Sequence, residues 1–225
     1  MGTLLKELWA IDIETVSQGA RAEEYSQNVE VKTGNIKDPE KIKAKQDEAL
    51  VKARSMLGLS WVTGKVFCVS LVNCDTGERK SFIGFNELEM LTALRIHLDK
   101  TLSGMSHLYA KSGKDFDYPF LIGRYIANNA RLPKIFKEKY SVLDIDDLLT
   151  MNKQSSQRDK LSAYAHGMEI DGKLMHGSKV QDEYNRALLA KGDDQVQILK
   201  DMVDYCEQDA VIVAEFVKRY YGEEY

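Results

Sequence analysis

The residues with the clearest chemical potential are two carboxylates near the start of the chain, Asp12 and Glu14, in the segment Leu-Trp-Ala-Ile-Asp-Ile-Glu-Thr. The surrounding apolar residues predict a strand over residues 5–14. Because strand side chains alternate, both acids would point to the same face of a sheet. Like charges side by side repel each other unless a cation lies between them, and oxygen ligands suit Mg²⁺ or Mn²⁺. The segment therefore indicates a metal site, although solvated acids at a strand end would give the same pattern.

Two later segments carry further acids that could join this site. Asp117 follows a glycine-containing turn and opens a predicted helix, where helix capping is the alternative role for an acid. Apolar residues at three- and four-residue steps predict a long helix over residues 196–220. Tyr205 and Asp209 lie four residues apart beside that apolar stripe and so share one helix face. Asp209 needs a partner if it is partly buried, and a plain salt bridge would also provide one.

Other acids compete with these candidates. Asp144 and Asp146 form a second pair spaced by two residues, but a short helical segment follows directly, which favours a capping role for them. Asp201 and Asp204 lie near Asp209 but lack its tyrosine partner. The sequence therefore favours Asp12, Glu14, Asp117 and Asp209 as one set.

A polar and charged segment over about residues 16–60 separates the first strand from the rest of the chain and indicates an insertion. Within it, Asp38-Pro39-Glu40 predicts a helix start, with an N-cap, a proline at the first helical position and an acid facing the helix dipole. The helix is expected to reach about Met56. Its basic side chains form either a solvated face or a basic flap over a substrate; they are Lys41, Lys43, Lys45, Lys52 and Arg54.

Beyond the insertion, strands and helices alternate in a way that is typical of an α/β domain. Strands are predicted at residues 66–72, 80–85, 106–110 and, with a short helix as the alternative, 141–149. The first two form a hairpin around a turn at residues 75–77. Asn86 and Glu89 have the spacing of a capping box that opens a helix to about Lys100. Residues 159–184 are predicted to be helix and loop.

Composition limits the classes of function. The chain has 225 residues, a net charge of −4 and a sequence pI of about 5.7, which argues against a protein that coats nucleic acid through bulk positive charge. An enzyme that contacts a few phosphates locally remains compatible with this charge. Three cysteines without a C-x-x-C pair predict reduced thiols and no structural zinc. The sequence contains neither a signal-peptide pattern at its start nor an apolar segment of about 20 residues, so we expect no membrane span.

Together, D-x-E on the first strand, F-D at a later helix start and Y-x-x-x-D on the last helix resemble the DEDD superfamily of 3′–5′ exonucleases. Tyrosine four residues before the last aspartate matches the branch that includes the proofreading domains of family A and family B DNA polymerases. The histidine branch would instead use the position of Asp204. The motifs extend from residue 12 to residue 209, and the chain looks like a stand-alone, phage-type member. Many relatives carry Asn in the turn before F-D, where this chain has Ser112.

The resemblance implies a single α/β domain over residues 1–225 with the ribonuclease H-like fold: a mixed central sheet flanked by helices, with a charged helical insertion after the first strand. Two divalent ions, Mg²⁺ or Mn²⁺, would be bound by four carboxylates, those of Asp12, Glu14, Asp117 and Asp209. Tyr205 would orient the attacking water, since an ordinary pKa near 10 makes tyrosine a poor general base. Contacts with nucleic acid are expected from Thr15, Ser112, Lys114, Lys41 and Lys45.

The implied function is 3′–5′ hydrolysis of phosphodiester bonds by two metal ions, with single-stranded DNA as the favoured substrate. Alternatives are an RNA substrate, the mismatched end left by a separate polymerase, a nucleic-acid-binding module that has lost catalysis, and an unrelated α/β protein with chance acids. A binding module gains nothing from four acids that face phosphates. The resemblance also implies replication or recombination proteins as partners, no membrane association, and the cytoplasm of a bacterial or phage-infected cell.

Overall fold

The structure, a computed structural model, describes residues 7–27, 36–150, 159–172 and 174–222. Its single sheet is built from β1 (Leu8–Ser17), β2 (Gly64–Asn73), β3 (Arg79–Ile83), β4 (His107–Ala110) and β5 (Val142–Asp144). The strand order is β3-β2-β1-β4-β5. The pairs β1–β2 and β2–β3 are antiparallel, whereas β1–β4 and β4–β5 are parallel. The predicted mixed sheet is therefore confirmed, with β1 at its centre.

Helices cover both faces of this sheet. They are α1 (Ala20–Gln27), α2 (Pro39–Ser55), α3 (Glu87–Thr101), α4 (Asp117–Ala127), α5 (Ile145–Thr150), α6 (Leu161–Gly167), α7 (Val180–Leu189) and α8 (Asp193–Tyr221). Side chains of α3 and α4 pack with the odd-numbered apolar residues of β1 on one face. Helices α5, α6, α7 and α8 pack with its even-numbered residues on the other. Because both faces are covered, β1 carries apolar residues on both of them.

The central strand extends further than predicted. Residues 5 and 6 lie outside the described residues, and β1 begins at Leu8 but continues to Ser17 rather than stopping at residue 14. A bulge between Glu14 and Thr15 shifts the pairing with β2, so that the strand bends where its two acids end. The connection between β1 and β2 therefore comprises residues 18–63, close to the predicted insertion.

The predicted insertion helix is confirmed as α2. The Asp38 side chain accepts a hydrogen bond from the Glu40 amide, and Pro39 occupies the first helical position. No residue of α2 is buried, so little apolar packing stabilises it. An ion pair of 2.9 Å between Arg54 and Glu23 connects α2 with α1, and the segment returns to the core at the buried Leu57.

Local hydrogen bonds explain the other predicted boundaries. The Asn73 carboxamide accepts from the amides of Asp75 and Thr76, and Gly77 adopts a left-handed φ of +70°, which closes the β2–β3 hairpin. The Asn86 side chain accepts from the Glu89 amide at the start of α3. The predicted last helix is α8, and no helix in the described part of the chain has the length and apolar character to cross a membrane.

Candidate active site

The strand acids face the longest helix. Trp9, Ile11 and Ile13 pack on the side of α3 and α4, so Asp12 and Glu14 point toward α8. There the Cys206 thiol donates to the Asp12 carbonyl at 3.4 Å and lies 3.6 Å from its carboxylate Oδ2. One ligand atom from each of Asp12, Glu14 and Cys206 lies within 4.8 Å of the other two.

Apolar packing holds α8 in register with these acids. On one side of them, Met202 and Tyr205 join a cluster with Val16 and other residues near the end of β1. On the other side, the segment of α8 after Asp209 joins a second cluster with the start of β1. On the surfaces that face each other, the strand and the helix each carry apolar residues at both ends and polar residues between them. The polar positions coincide because the two flanking clusters fix the alignment of helix and strand.

Asp117 reaches the same place from the opposite side of β1. Strand β4 pairs with β1 only at residues 8–10, and beyond that point the Ile13 amide donates to the Asp117 carboxylate. Asp117 begins α4, and its own amide also donates to its carboxylate. The next residue anchors the helix, since the Tyr118 hydroxyl donates to the carbonyls of Leu108 and Leu143 at 2.7 and 2.8 Å. The Asp117 carboxylate is therefore fixed beside the strand segment that carries the acid pair.

The electrostatics show how closely the acids are packed. Burial is the largest cause that raises the pKa of Asp117, and the charges of Asp144 and Asp209 act in the same direction. Against the lowering effect of its two backbone hydrogen bonds, these causes bring the pKa of Asp117 to about 7. Burial also raises the pKa of the Cys206 thiol, as do its neighbour Cys68 and the charges of the strand acids. The thiol is therefore a hydrogen-bond donor at neutral pH. The charge of Asp209 thus acts on Asp117, which is bonded to β1 between Asp12 and Glu14, whereas the ligand atoms within 4.8 Å of one another are those of Asp12, Glu14 and Cys206.

The competing pair, Asp144 and Asp146, braces the turn before Asp117. One oxygen of Asp144 accepts from the amides of Ser112 and Asp146, so the predicted capping role of Asp144 is confirmed. Its other oxygen is buried without a hydrogen-bond partner among the described residues. The Asp146 carboxylate accepts hydrogen bonds from the Lys111 ammonium group at 2.8 Å, from the Ser112 hydroxyl at 3.1 Å and from the Tyr164 hydroxyl at 2.6 Å. These bonds hold the turn that leads into α4.

Ser112 lies at a strained point of that turn. Its φ of +57° is in the left-handed region, which asparagine tolerates better than serine does. The hydrogen bonds from Ser112 to Asp144 and Asp146 stabilise this conformation, and the serine hydroxyl therefore points toward Asp146. Lys114, also predicted to contact nucleic acid, forms an ion pair of 2.6 Å with Asp147.

Tyr205 is buried one helical turn before Asp209. A Cβ atom added at Gly177 would lie 3.6 Å from the Tyr205 hydroxyl, so this hydroxyl points to the short 3₁₀ helix Gly177–Lys179. Gly177 in turn lines a cavity of about 790 Å³. The phenol therefore lies behind the part of the cavity wall that Gly177 forms.

The cavity begins where the acid pair ends. Its walls come from the end of β1, from the insertion and from α7, and they include Thr15, Glu23, Leu59, Gln181 and Tyr184. Thr15 directly follows Glu14, so the cavity is adjacent to the acids. Its volume is that of pockets that bind small molecules.

The two remaining predicted contacts lie away from this cavity. Lys41 and Lys45 are exposed on α2, whereas Arg54 near the end of that helix lines the cavity. At a rise of 1.5 Å per residue, they lie about 20 and about 14 Å from Arg54 along the helix axis. The structure therefore separates these two lysines from the carboxylate cluster.

Sequence reasoning missed two features. Cys206 was part of the predicted apolar stripe, although its position three residues before Asp209 places both on one helix face. Gln181 was not predicted at all, yet its side chain accepts from the Ser17 amide at 2.7 Å and lines the cavity. No pattern in the sequence indicates that α7 meets the end of β1.

Comparisons with known proteins concern the family and the fold. The model of the RNase H superfamily matches residues 56–221, a range that includes Asp117, Tyr205 and Asp209. The fold resembles that of the family B DNA polymerase from the hyperthermophilic archaeon Pyrobaculum calidifontis, with a TM-score of 0.53 and 12% sequence identity. The likeness covers 92% of this chain but 24% of the polymerase chain, so the chain spans about a quarter of that protein. No curated protein matches the chain by sequence.

Proposed function

We propose, from the premise that this chain belongs to the RNase H superfamily, that it is a metal-dependent 3′–5′ exonuclease acting on single-stranded DNA. Membership of this superfamily supports nuclease activity. The observation that carries the finer proposal is the position of Asp117. Its carboxylate accepts a hydrogen bond from the amide of Ile13, the residue between the two strand acids, and it lies close enough to Asp209 for the charge of Asp209 to raise the pKa of Asp117. Four acids from β1, α4 and α8 are crowded in a partly buried site, which is the arrangement a cation stabilises.

The donor set fits hard divalent ions. Four carboxylates supply the oxygen ligands that Mg²⁺ and Mn²⁺ prefer, and their combined charge offsets that of two such ions. Asp12, Glu14, Asp117 and Asp209 would hold the ions. When bound, two such ions would lower the pKa of an attacking water and stabilise the charge on the leaving 3′ oxygen.

The protein's own residues would position these groups. The Ile13 amide and the first turn of α4 fix Asp117, while Asp144 holds the turn that sets where α4 begins. Tyr205 is proposed to orient the water through its hydroxyl rather than to take a proton from it. Thr15 would contact the terminal nucleotide at the mouth of the cavity.

Two observations favour a single strand of DNA. The cavity beside Thr15 has a volume of about 790 Å³, which suits a strand end better than a duplex. The structural likeness to a DNA polymerase favours DNA over RNA as the substrate.

Digestion of end-labelled single strands tests this proposal. DNA and RNA oligonucleotides labelled at either end are incubated with Mg²⁺, Mn²⁺ or EDTA. We expect a 5′ label to remain on strands that shorten one nucleotide at a time, a 3′ label to be released at once as mononucleotide, and EDTA to stop both. Asp12→Ala should abolish turnover, whereas Asp204→Ala, which changes an exposed acid on α8, should not. Internal cleavage products, or an active Asp12→Ala variant, would rule the proposal out.

A further inference from the structure

Four large apolar side chains are exposed together in the segment that returns from the insertion to β2. They are Met56, Leu59, Trp61 and Val62, each between 42% and 55% exposed, and we call them the apolar ridge. Single exposed apolar residues are common on protein surfaces, but four within seven residues are a local concentration of exposed apolar surface. Such a patch usually contacts a ligand or a partner.

The ridge is held rigidly in this exposed position. Leu57 is buried beneath it, and the Thr63 hydroxyl donates to the Leu57 carbonyl at 2.7 Å. Arg124 of α4 donates to the Trp61 carbonyl at 2.9 Å. A Cβ atom added at Gly123 would come within 2.5 Å of the indole, so the ring lies directly against the backbone of α4. One side of the indole is thus fixed while the rest stays accessible.

The ridge is continuous with the cavity beside the acids. Leu59 itself lines that cavity. Gln18, which also lines it, donates through its side chain to the Val62 carbonyl at 3.1 Å and to the Gly64 carbonyl at 2.8 Å. A strand whose 3′ end lies beside Thr15 would therefore leave the cavity across this ridge.

We propose that the apolar ridge is a stacking surface for the unpaired bases of a single-stranded nucleic acid whose 3′ end occupies the cavity. The inference rests on the proposed function, since that function places a strand end in the cavity. Aromatic and apolar side chains bind bases without regard to sequence, because every base has an apolar face. A sequence-independent contact suits an enzyme that moves along a strand. The ridge thereby supplies the contact with bases, while the acidic site handles the phosphate.

Tryptophan fluorescence tests the contact without hydrolysis. The chain has two tryptophans, and Trp9 is only 4% exposed, so quenching by a ligand would report on Trp61. In EDTA, we expect an oligo(dT) strand to quench the wild-type emission and an abasic strand of the same length to quench it much less. Trp61→Phe should lose this signal. Equal quenching by the abasic strand would show that phosphates alone bind there and would overturn the proposal.

Affinity measurements complete the test. Trp61→Ala should weaken binding of labelled oligo(dT) in EDTA by about 5- to 150-fold, the effect of losing one stacked base. Trp61→Phe, which keeps an aromatic ring, should lose less. Met105→Ala removes a side chain that is 74% exposed elsewhere and serves as the matched control. Unchanged affinity of Trp61→Ala, or a self-association of the wild type that this variant abolishes, would overturn the proposal.

These measurements separate the inference from the proposed function. A protein that binds and is quenched by oligo(dT) but never degrades it would contradict the exonuclease proposal and support the stacking surface. A protein that degrades single strands without quenching of Trp61 would contradict the stacking surface alone.

Discussion

Replacing Asp117 by asparagine should remove a pH-dependent loss of stability from the metal-free protein. The pKa of Asp117 is raised from 3.8 to about 7, mainly by burial. Between these two values the folded state holds a proton that the unfolded state has released, so the free energy of unfolding falls as pH rises. The contribution of Asp117 to the free energy of unfolding is fully present below pH 3.8 and is lost as the pH rises through 7. At 1.36 kcal/mol for each pH unit, the full loss is about 4 kcal/mol.

Urea unfolding in EDTA at pH 5 and pH 8 measures this effect. The interval contains about two pH units below the folded pKa, so Asp117 should lower the unfolding free energy of the wild type by about 3 kcal/mol across it. The raised pKa of Asp144 acts in the same direction, whereas the lowered pKa of Asp146 affects stability only at a pH below the usual aspartate value, outside this interval. Both groups remain in Asp117→Asn, so the difference between the two proteins isolates Asp117.

The same experiment with metal supplies a second comparison. At pH 8, Mn²⁺ should stabilise the wild type strongly, because it removes the repulsion among the acids, and should stabilise Asp117→Asn less. Identical pH dependence of the wild type and the variant in EDTA would refute the reasoning. It would mean that Asp117 ionises freely in the folded protein and that the four acids are not crowded.

Three further outcomes can be checked. Arg124→Ala leaves the Glu87 carboxylate buried without its cation, although the Val66 amide and the Asn128 side chain still donate to it, and should lower the unfolding free energy by about 3 kcal/mol in urea titrations. Tyr205→Phe should slow strand digestion at saturating Mn²⁺ by roughly ten- to a thousandfold. Asp209→Ala should slow digestion more and should also weaken Mn²⁺ binding. A Tyr205→Phe variant with the wild-type rate would show that the tyrosine serves only in packing. Neutralising the three lysines in the first half of α2, which include Lys41 and Lys45, tests whether they contact phosphates. If they do, the slope of the logarithm of the binding constant against the logarithm of the salt concentration should fall in magnitude by about 2. An unchanged slope would show that these lysines form a solvated face.

The sequence by itself determined the elements and the faces on which the key residues lie. The two-residue period of a strand places Asp12 and Glu14 on one face, and the spacing of Tyr205 and Asp209 places them one helical turn apart. Asp38 and Pro39 fix where α2 begins, because an N-cap and a first-turn proline act through the nearest amides. The alternation of strands and helices along the chain predicts an α/β domain, and the family resemblance adds that its central sheet is mixed. Each of these features depends on residues that are close in sequence.

Only the tertiary structure decided how these elements meet. The contact of Cys206 with Asp12 depends on the position of α8 along β1, and the two flanking apolar clusters set that position. The cavity walls contributed by α7 and the apolar ridge depend on where a long insertion returns to the sheet. Lys114 is a free cation in the sequence but pairs with Asp147 in the fold. Such contacts join residues far apart in the chain, and their geometry follows from the packing of whole elements, which no local pattern specifies.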